Sequence, residues 1–171
     1  GMLIPQDLKD DSANELIKKG LIEKSNLIKE GKIKREKALK PIKREDFPFA
    51  IPETWCWVRL SEVSFFQEGP GILAKDFRKK GVPLIRISGM HGESVSLDGC
   101  NYLDRNMVED KWSHFKLDEG DVVLSSSASL GKVAEVTKET VGCIVYTGLI
   151  RFKRYSSLLP DFISVKFTVF I

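Results

Sequence analysis

The chain has 171 residues, 42% of them hydrophobic and 30% charged, which is enough for one sizeable core with an appended helix and places it with globular rather than disordered or fibrous chains. A net charge of +3 says little about partners, and no apolar run reaches the ~20 residues that span a bilayer. Cys56, Cys100 and Cys143 stand apart, without zinc spacing, and imply free thiols in a reducing, cytoplasmic setting. His91 and His114 have no ligand cluster around them, so no metal site is expected.

In chain order, Ser12-Ala13-Asn14-Glu15 has capping-box spacing, and Leu16, Ile17, Leu21, Ile22, Leu27 and Ile28 follow at helical spacing before Gly31. That predicts an amphipathic helix over 12–30, with Leu16, Ile17, Leu21 and Ile28 as a stripe that needs a partner on this chain or another. Residues 29–44, "KEGKIKREKALKPIKR", carry eight basic side chains against Glu30 and Glu36. A solvated linker face and a phosphate-contacting patch fit this run equally. Pro48 and Pro52 make an extended entry, so the alternation from Trp55 to Leu60 reads as the first strand of a body that starts near residue 47. Trp55 and Trp57 are expected to pack on the core or on the helix.

Further strands are predicted at 61–67, 82–88, 120–126, 131–137, 143–146 and 149–154, with helices at 104–112 and at 160–170 behind Pro160. The class is therefore α+β, with a curved, mostly antiparallel sheet and short helices.

The stretch "LDEGDVVLSSSASLGKVAEV" (117–136) invites three readings. Ser129 and Lys132 have S-x-x-K spacing, yet the S-D-N and K-T-G elements that a serine hydrolase of that kind needs are missing. A phosphate-binding loop ending at Gly131-Lys132 needs glycine at Ser126 and a hydroxyl at Val133, and has neither. A strand-turn-strand unit fits, either as a purely structural bend or as one that faces a ligand.

The phrase "IPETWCWVRLSEV" (51–63) resembles the opening of a target-recognition domain in the specificity subunits of type I restriction-modification systems. In the family's order follow "KKGVPLIRISGM" (79–90), "EGDVVLSSSASLGKVAEV" (119–136) and "TGLIRFKR" (147–154), while residues 1–17 and 29–42 resemble the segment that precedes such a domain. The resemblance implies a non-catalytic subunit that binds double-stranded DNA at one half of a bipartite site. It also implies docking, through the 12–30 stripe, to methyltransferase subunits and through them to restriction subunits. S-adenosylmethionine, ATP and Mg would then sit on those partners and no cofactor on this chain. There is room for one recognition domain, and the chain stops at "KFTVFI" before the long helix expected there. That implies a fragment, a truncated product, or a half-subunit that self-dimerises, and a remnant acting only as a protein-interaction module stands as the alternative function.

Candidate DNA contacts are Lys75, Arg78, Lys79 and Lys80 in the glycine-flanked loop 69–81, together with Arg86, Ser88, Ser127, Ser129 and Lys132. Lysine and arginine neutralise phosphates and release counterions, an arginine fork matches guanine, and hydroxyls serve either phosphates or base edges.

Overall fold

The structure is a computed structural model that describes residues 12–155 except Ala38 and Ala128, and not the side chain of Arg154. The helix expected at 160–170 lies outside the described residues.

Helix α1 (Ala13–Lys29) forms where the apolar periodicity placed it. It ends as predicted at Gly31, whose φ of +70° needs no Cβ to be accommodated. There Gly31 N donates to Ile28 O at 3.1 Å and Lys32 N to Leu27 O at 3.0 Å, the two bonds of a Schellman ending. The expected capping box at the other end does not close, because Ser12 gives no side-chain cap. Glu15 is drawn instead to Lys18 at 2.7 Å, and Ala13 N finds Thr54 O at 3.0 Å.

The strand expected over Trp55–Leu60 is absent. Glu62 Oε2 accepts from Arg59 N at 2.7 Å and winds residues Leu60–Val63 into the short helix α2, so the chain turns before it can pair. Trp57 packs among Phe47 and Phe49, with ring centroids at 6.3 and 4.9 Å, rather than on α1. Trp55 is 51% exposed, against the expectation of burial.

Among the described residues eight strands follow: β1 (Ser64–Glu68), β2 (Phe77–Arg78), β3 (Val82–Ile85), β4 (Asn101–Leu103), β5 (Val122–Ser125), β6 (Val133–Glu135), β7 (Ile144–Val145) and β8 (Leu149–Arg154). They form two four-stranded sheets, β1-β8-β5-β6 and β2-β4-β3-β7. All pairs are antiparallel except β3 with β7, where Leu84 faces Ile144 and Ile85 faces Val145. The α+β class with mostly antiparallel sheets holds. The predicted helix at 104–112 is present as α3 (Arg105–Met107), running on through a π turn (Val108–Trp112), with Asp104 Oδ1 accepting Met107 N at 3.0 Å at its start.

The end of β3 is covered on both faces, with Ile85 in one cluster and Leu84 in another, which explains why β3 is continuously apolar rather than alternating. Ile85 and Val145 meet Val123, Ala134 and Leu149 of the first sheet. Leu84, Leu103 and Ile144 pack on the other side against Val108 of the π turn, with Phe77 and Tyr146 at the margin. A third cluster joins Ile33, Phe65 and Tyr155 to Leu27 and Ile28 of α1. The predicted stripe is therefore split: Ile28 is anchored on this chain, Leu16 and Ile17 are half-buried, and Leu21 is 44% exposed.

His114, between the π turn and Leu117, has a buried Nε2 without a hydrogen-bond partner among the described residues. Burial first, and the charge of Lys34 second, hold it below the ordinary 6.5. A depressed folded pKa supports the fold in full above about pH 6.5, and that support is lost as pH falls through the folded value. Thermal melting at about pH 5 should therefore occur lower than at about pH 7.5, with the difference reduced in His114→Gln. Identical pH slopes in both proteins would exclude the histidine as the cause.

Candidate nucleic-acid interface

The basic loop takes its shape from sheet pairing. Phe77 of β2 and Val82 of β3 both face Leu103 of β4, so residues 79–81 cross over the end of β4. Arg78, Lys79 and Lys80 are left exposed, and Lys75 is exposed on the preceding 3-10 turn (Ala74–Asp76). One guanidinium nitrogen of Arg78 is tied to Lys75 O and Phe77 O, both at 3.0 Å. None of these four cations meets an acidic partner among the described residues. Solvated cations of this kind neutralise phosphates at little desolvation cost.

Arg86 emerges where β3 ends. The parallel register that sets Ile85 beside Val145 brings Tyr146 alongside it, with the guanidinium carbon 5.7 Å from the ring centroid. Asn101 Oδ1 accepts from Arg86 Nη1 at 3.1 Å, and Phe77 meets the Tyr146 ring edge-on at 6.1 Å. Arg86, Ser127, Tyr146 and Thr147 line a cleft of about 140 Å³. Two of the predicted residues, Arg86 and Ser127, are thus brought together. Asn101, Tyr146 and Thr147 were not foreseen, and no local sequence signal marks them, because the contacts to Arg86 come from 15 and 60 residues away along the chain.

The serine-rich stretch is the bend between β5 and β6, as the strand-turn-strand reading held. Its central residue is Ser125, which sequence reading passed over. This serine is 2% exposed, its Oγ donates to Ser129 O and accepts from Lys132 N, the latter at 2.9 Å, and Gly131 completes the turn at φ +83°. Ser129 is exposed at the bend and Lys132 half-buried at its foot. Ser88 points elsewhere, its hydroxyl donating to Asp98 O at 2.8 Å.

The charge is polarised along the first sheet. At the β6 edge, Glu119, Glu135 and Glu139 with Lys138 line a groove of about 700 Å³, a surface of net negative charge that disfavours a polyanion. The β1 edge lies at the other end of the strand order, beside α2 and the basic segment where Lys34, Arg35, Lys37, Lys40 and Arg44 are exposed. Among the described residues no His, Cys, Asp and Glu cluster could hold a metal ion, and no helix is long and apolar enough to cross a membrane.

No family model matches the chain. Two curated relatives do: the EcoAI type I restriction enzyme specificity subunit of Escherichia coli, 32% identical over 94% of this chain and 28% of the relative, and the EcoEI specificity subunit of the same organism, 33% identical over 73% and 20%. The fold is that of the HsdS subunit of Thermoanaerobacter tengcongensis, at a TM-score of 0.53 and 16% identity over 91% of this chain and 34% of that one. A chain from a structure of type I restriction-modification complex assembly and conformational transition gives the same TM-score at 17% identity. The relatives are specificity subunits, non-catalytic components of restriction-modification complexes. The chain spans about a third or less of the length of these proteins, and over that stretch it belongs with the specificity subunits of type I restriction-modification systems.

Proposed function

We propose that the chain binds double-stranded DNA sequence-specifically and directs methyltransferase subunits, and through them restriction subunits, to one half of a bipartite site in the cytoplasm. The observation that carries this reading is the 32% identity to a specificity subunit over 94% of the chain. The exposed Lys75, Arg78, Lys79 and Lys80 supply the cationic surface that such a role requires. S-adenosylmethionine, ATP and Mg belong in this reading to the partner subunits.

The test is selection from a randomised duplex pool, with the chain alone and with a methyltransferase subunit, at low and moderate salt. Enrichment of a short asymmetric half-site is expected. Lys79→Glu should then weaken binding to every sequence alike and reduce the salt slope by about one or more, leaving the enriched motif unchanged. Failure to enrich any sequence under all conditions would overturn the DNA reading.

A protein-interaction role is favoured by a separate surface. Leu39, Trp57, Leu60 and Phe66 line an open groove of about 650 Å³, and Phe49 and Trp55 stand exposed nearby in the chain at 63% and 51%. Retained binding to methyltransferase subunits without DNA binding would identify this as the main function.

A further inference from the structure

We infer that the cleft beside Arg86 is a seat for a single DNA phosphodiester, so that Arg86 positions the duplex and does not read its sequence. The inference rests on the DNA-binding reading above and adds a division of labour within the candidate interface.

Shape carries the first part of the argument. Base edges lie at the bottom of a groove roughly 8.5 Å deep in the major groove of B-DNA, and only elements that project from a protein reach them. Phosphates project from the duplex and fit recesses. Arg86 lines a recess, together with Ser127, Tyr146 and Thr147. Arg86 and Ser127 are exposed at the mouth of this recess, whereas Arg78, Lys79 and Lys80 of the crossover and Leu130, 74% exposed, stand on surface that lines no such recess.

Chemistry carries the second part. Arg86 meets no acidic partner among the described residues. Among the described residues one of its nitrogens, Nη1, donates to Asn101 Oδ1 at 3.1 Å, and its guanidinium carbon lies 5.7 Å from the Tyr146 ring centroid, two contacts that hold the group beside the cleft. The remaining N–H groups are then oriented before any ligand arrives, which lowers the entropy lost on binding an oxyanion. Ser127 is the second donor at the cleft. Its hydroxyl sits against Gly148, where a Cβ would come within 2.0 Å of Ser127 Oγ. The neighbouring polar groups are already committed. Thr147 Oγ1 donates to Pro70 O at 3.1 Å, and Gly148 N donates to Glu68 Oε1 at 3.1 Å. One arginine fork and one hydroxyl therefore face the recess, a donor set that suits one phosphate and carries no information about the base attached to it.

The experiment compares the full chain with its Arg86→Gln, Arg86→Lys and Tyr146→Leu variants on duplexes of the selected half-site and of unrelated sequence, across a salt series. Arg86→Gln should lose roughly tenfold in affinity on both duplexes, lower the salt slope by about one, and enrich the same motif as wild type. Arg86→Lys should keep the slope and recover part of the affinity, since it retains charge without the fork. Tyr146→Leu should weaken both duplexes equally while leaving the slope in place. Replacing single phosphates by neutral methylphosphonates should reveal one position at which wild type and Arg86→Gln bind alike.

A change of preference at one base in Arg86→Gln would overturn the inference and make Arg86 a base-reading residue. An unchanged salt slope, or no methylphosphonate position that removes the difference, would exclude contact with the backbone. Both results leave the wild-type selection intact, and so are distinguishable from failure of the DNA reading, in which wild type itself binds no duplex.

Discussion

Replacement of Asp121 by alanine should destabilise the chain by about 3–5 kcal/mol, the usual cost of leaving a buried charge without its partner. Arg151 is 1% exposed in the centre of the first sheet, and its Nε donates to Asp121 Oδ2 at 2.6 Å while Nη2 donates to Asp118 Oδ2 at 3.0 Å. Lys153 closes the network on Asp118 at 2.5 Å and on Asp121 at 3.5 Å. Burial lifts the Asp121 carboxyl above its ordinary value despite the attraction of Arg151 and Lys153. For Asp118 burial also pushes upward, but the hydrogen bond and charge of Lys153, with Arg151 and Lys32, outweigh it and hold the group low. Asp118 therefore supports the fold above about pH 3.8, and that support is lost as pH falls through its folded value. Asp121 works in the opposite direction, because its desolvation outweighs its pairing.

Two consequences can be measured by urea unfolding. Asp121→Ala lowers the midpoint strongly, whereas Asp121→Leu combined with Arg151→Met recovers most of the loss, since a well-packed apolar pair replaces a costly ionic one. A loss below about 1 kcal/mol in Asp121→Ala would show that water reaches Arg151 and satisfies it.

Gly81→Ala should cost about 2–4 kcal/mol and weaken DNA binding as well. Gly81 has φ +143°, and a Cβ there would lie 2.0 Å from Leu103 O, a backbone atom at the end of the inner strand β4 that cannot move aside cheaply. Relief requires a shift of the crossover that carries Lys79 and Lys80, so stability and DNA affinity should fall together. Wild-type stability in Gly81→Ala would mean that the crossover is freer than its contact with β4 implies. Lost stability with unchanged DNA affinity would separate the loop from the interface.

Much of the architecture was legible along the chain. The 3.6-residue spacing of Leu16 to Ile28 and the glycine behind it specify α1 and its ending, because both are local properties of a dozen neighbouring residues. β3, β5, β6 and β8 were visible as β-branched runs between glycines, and the bend at 126–131 could be told from a catalytic or nucleotide-binding loop by the residues it lacks. The resemblance to type I specificity subunits was equally legible, since four ordered phrases survive in the chain.

Tertiary structure decided the rest. β2 and β4, at two and three residues, are too short to carry a periodic signal and exist only because each finds a partner. The run from Trp55 to Leu60 shows the converse, an alternating pattern with no strand beside it, diverted by one glutamate into a helical turn. The recess at Arg86 depends on a parallel pairing of β3 with β7 and on a turn from β5, so its residues are drawn from separate stretches of the chain. Residue types and local spacing determined α1, the longer strands and the family resemblance; non-local pairing decided the shortest strands and which arginine, aromatic ring and hydroxyl share a wall, because a contact between distant residues leaves no periodicity in the sequence.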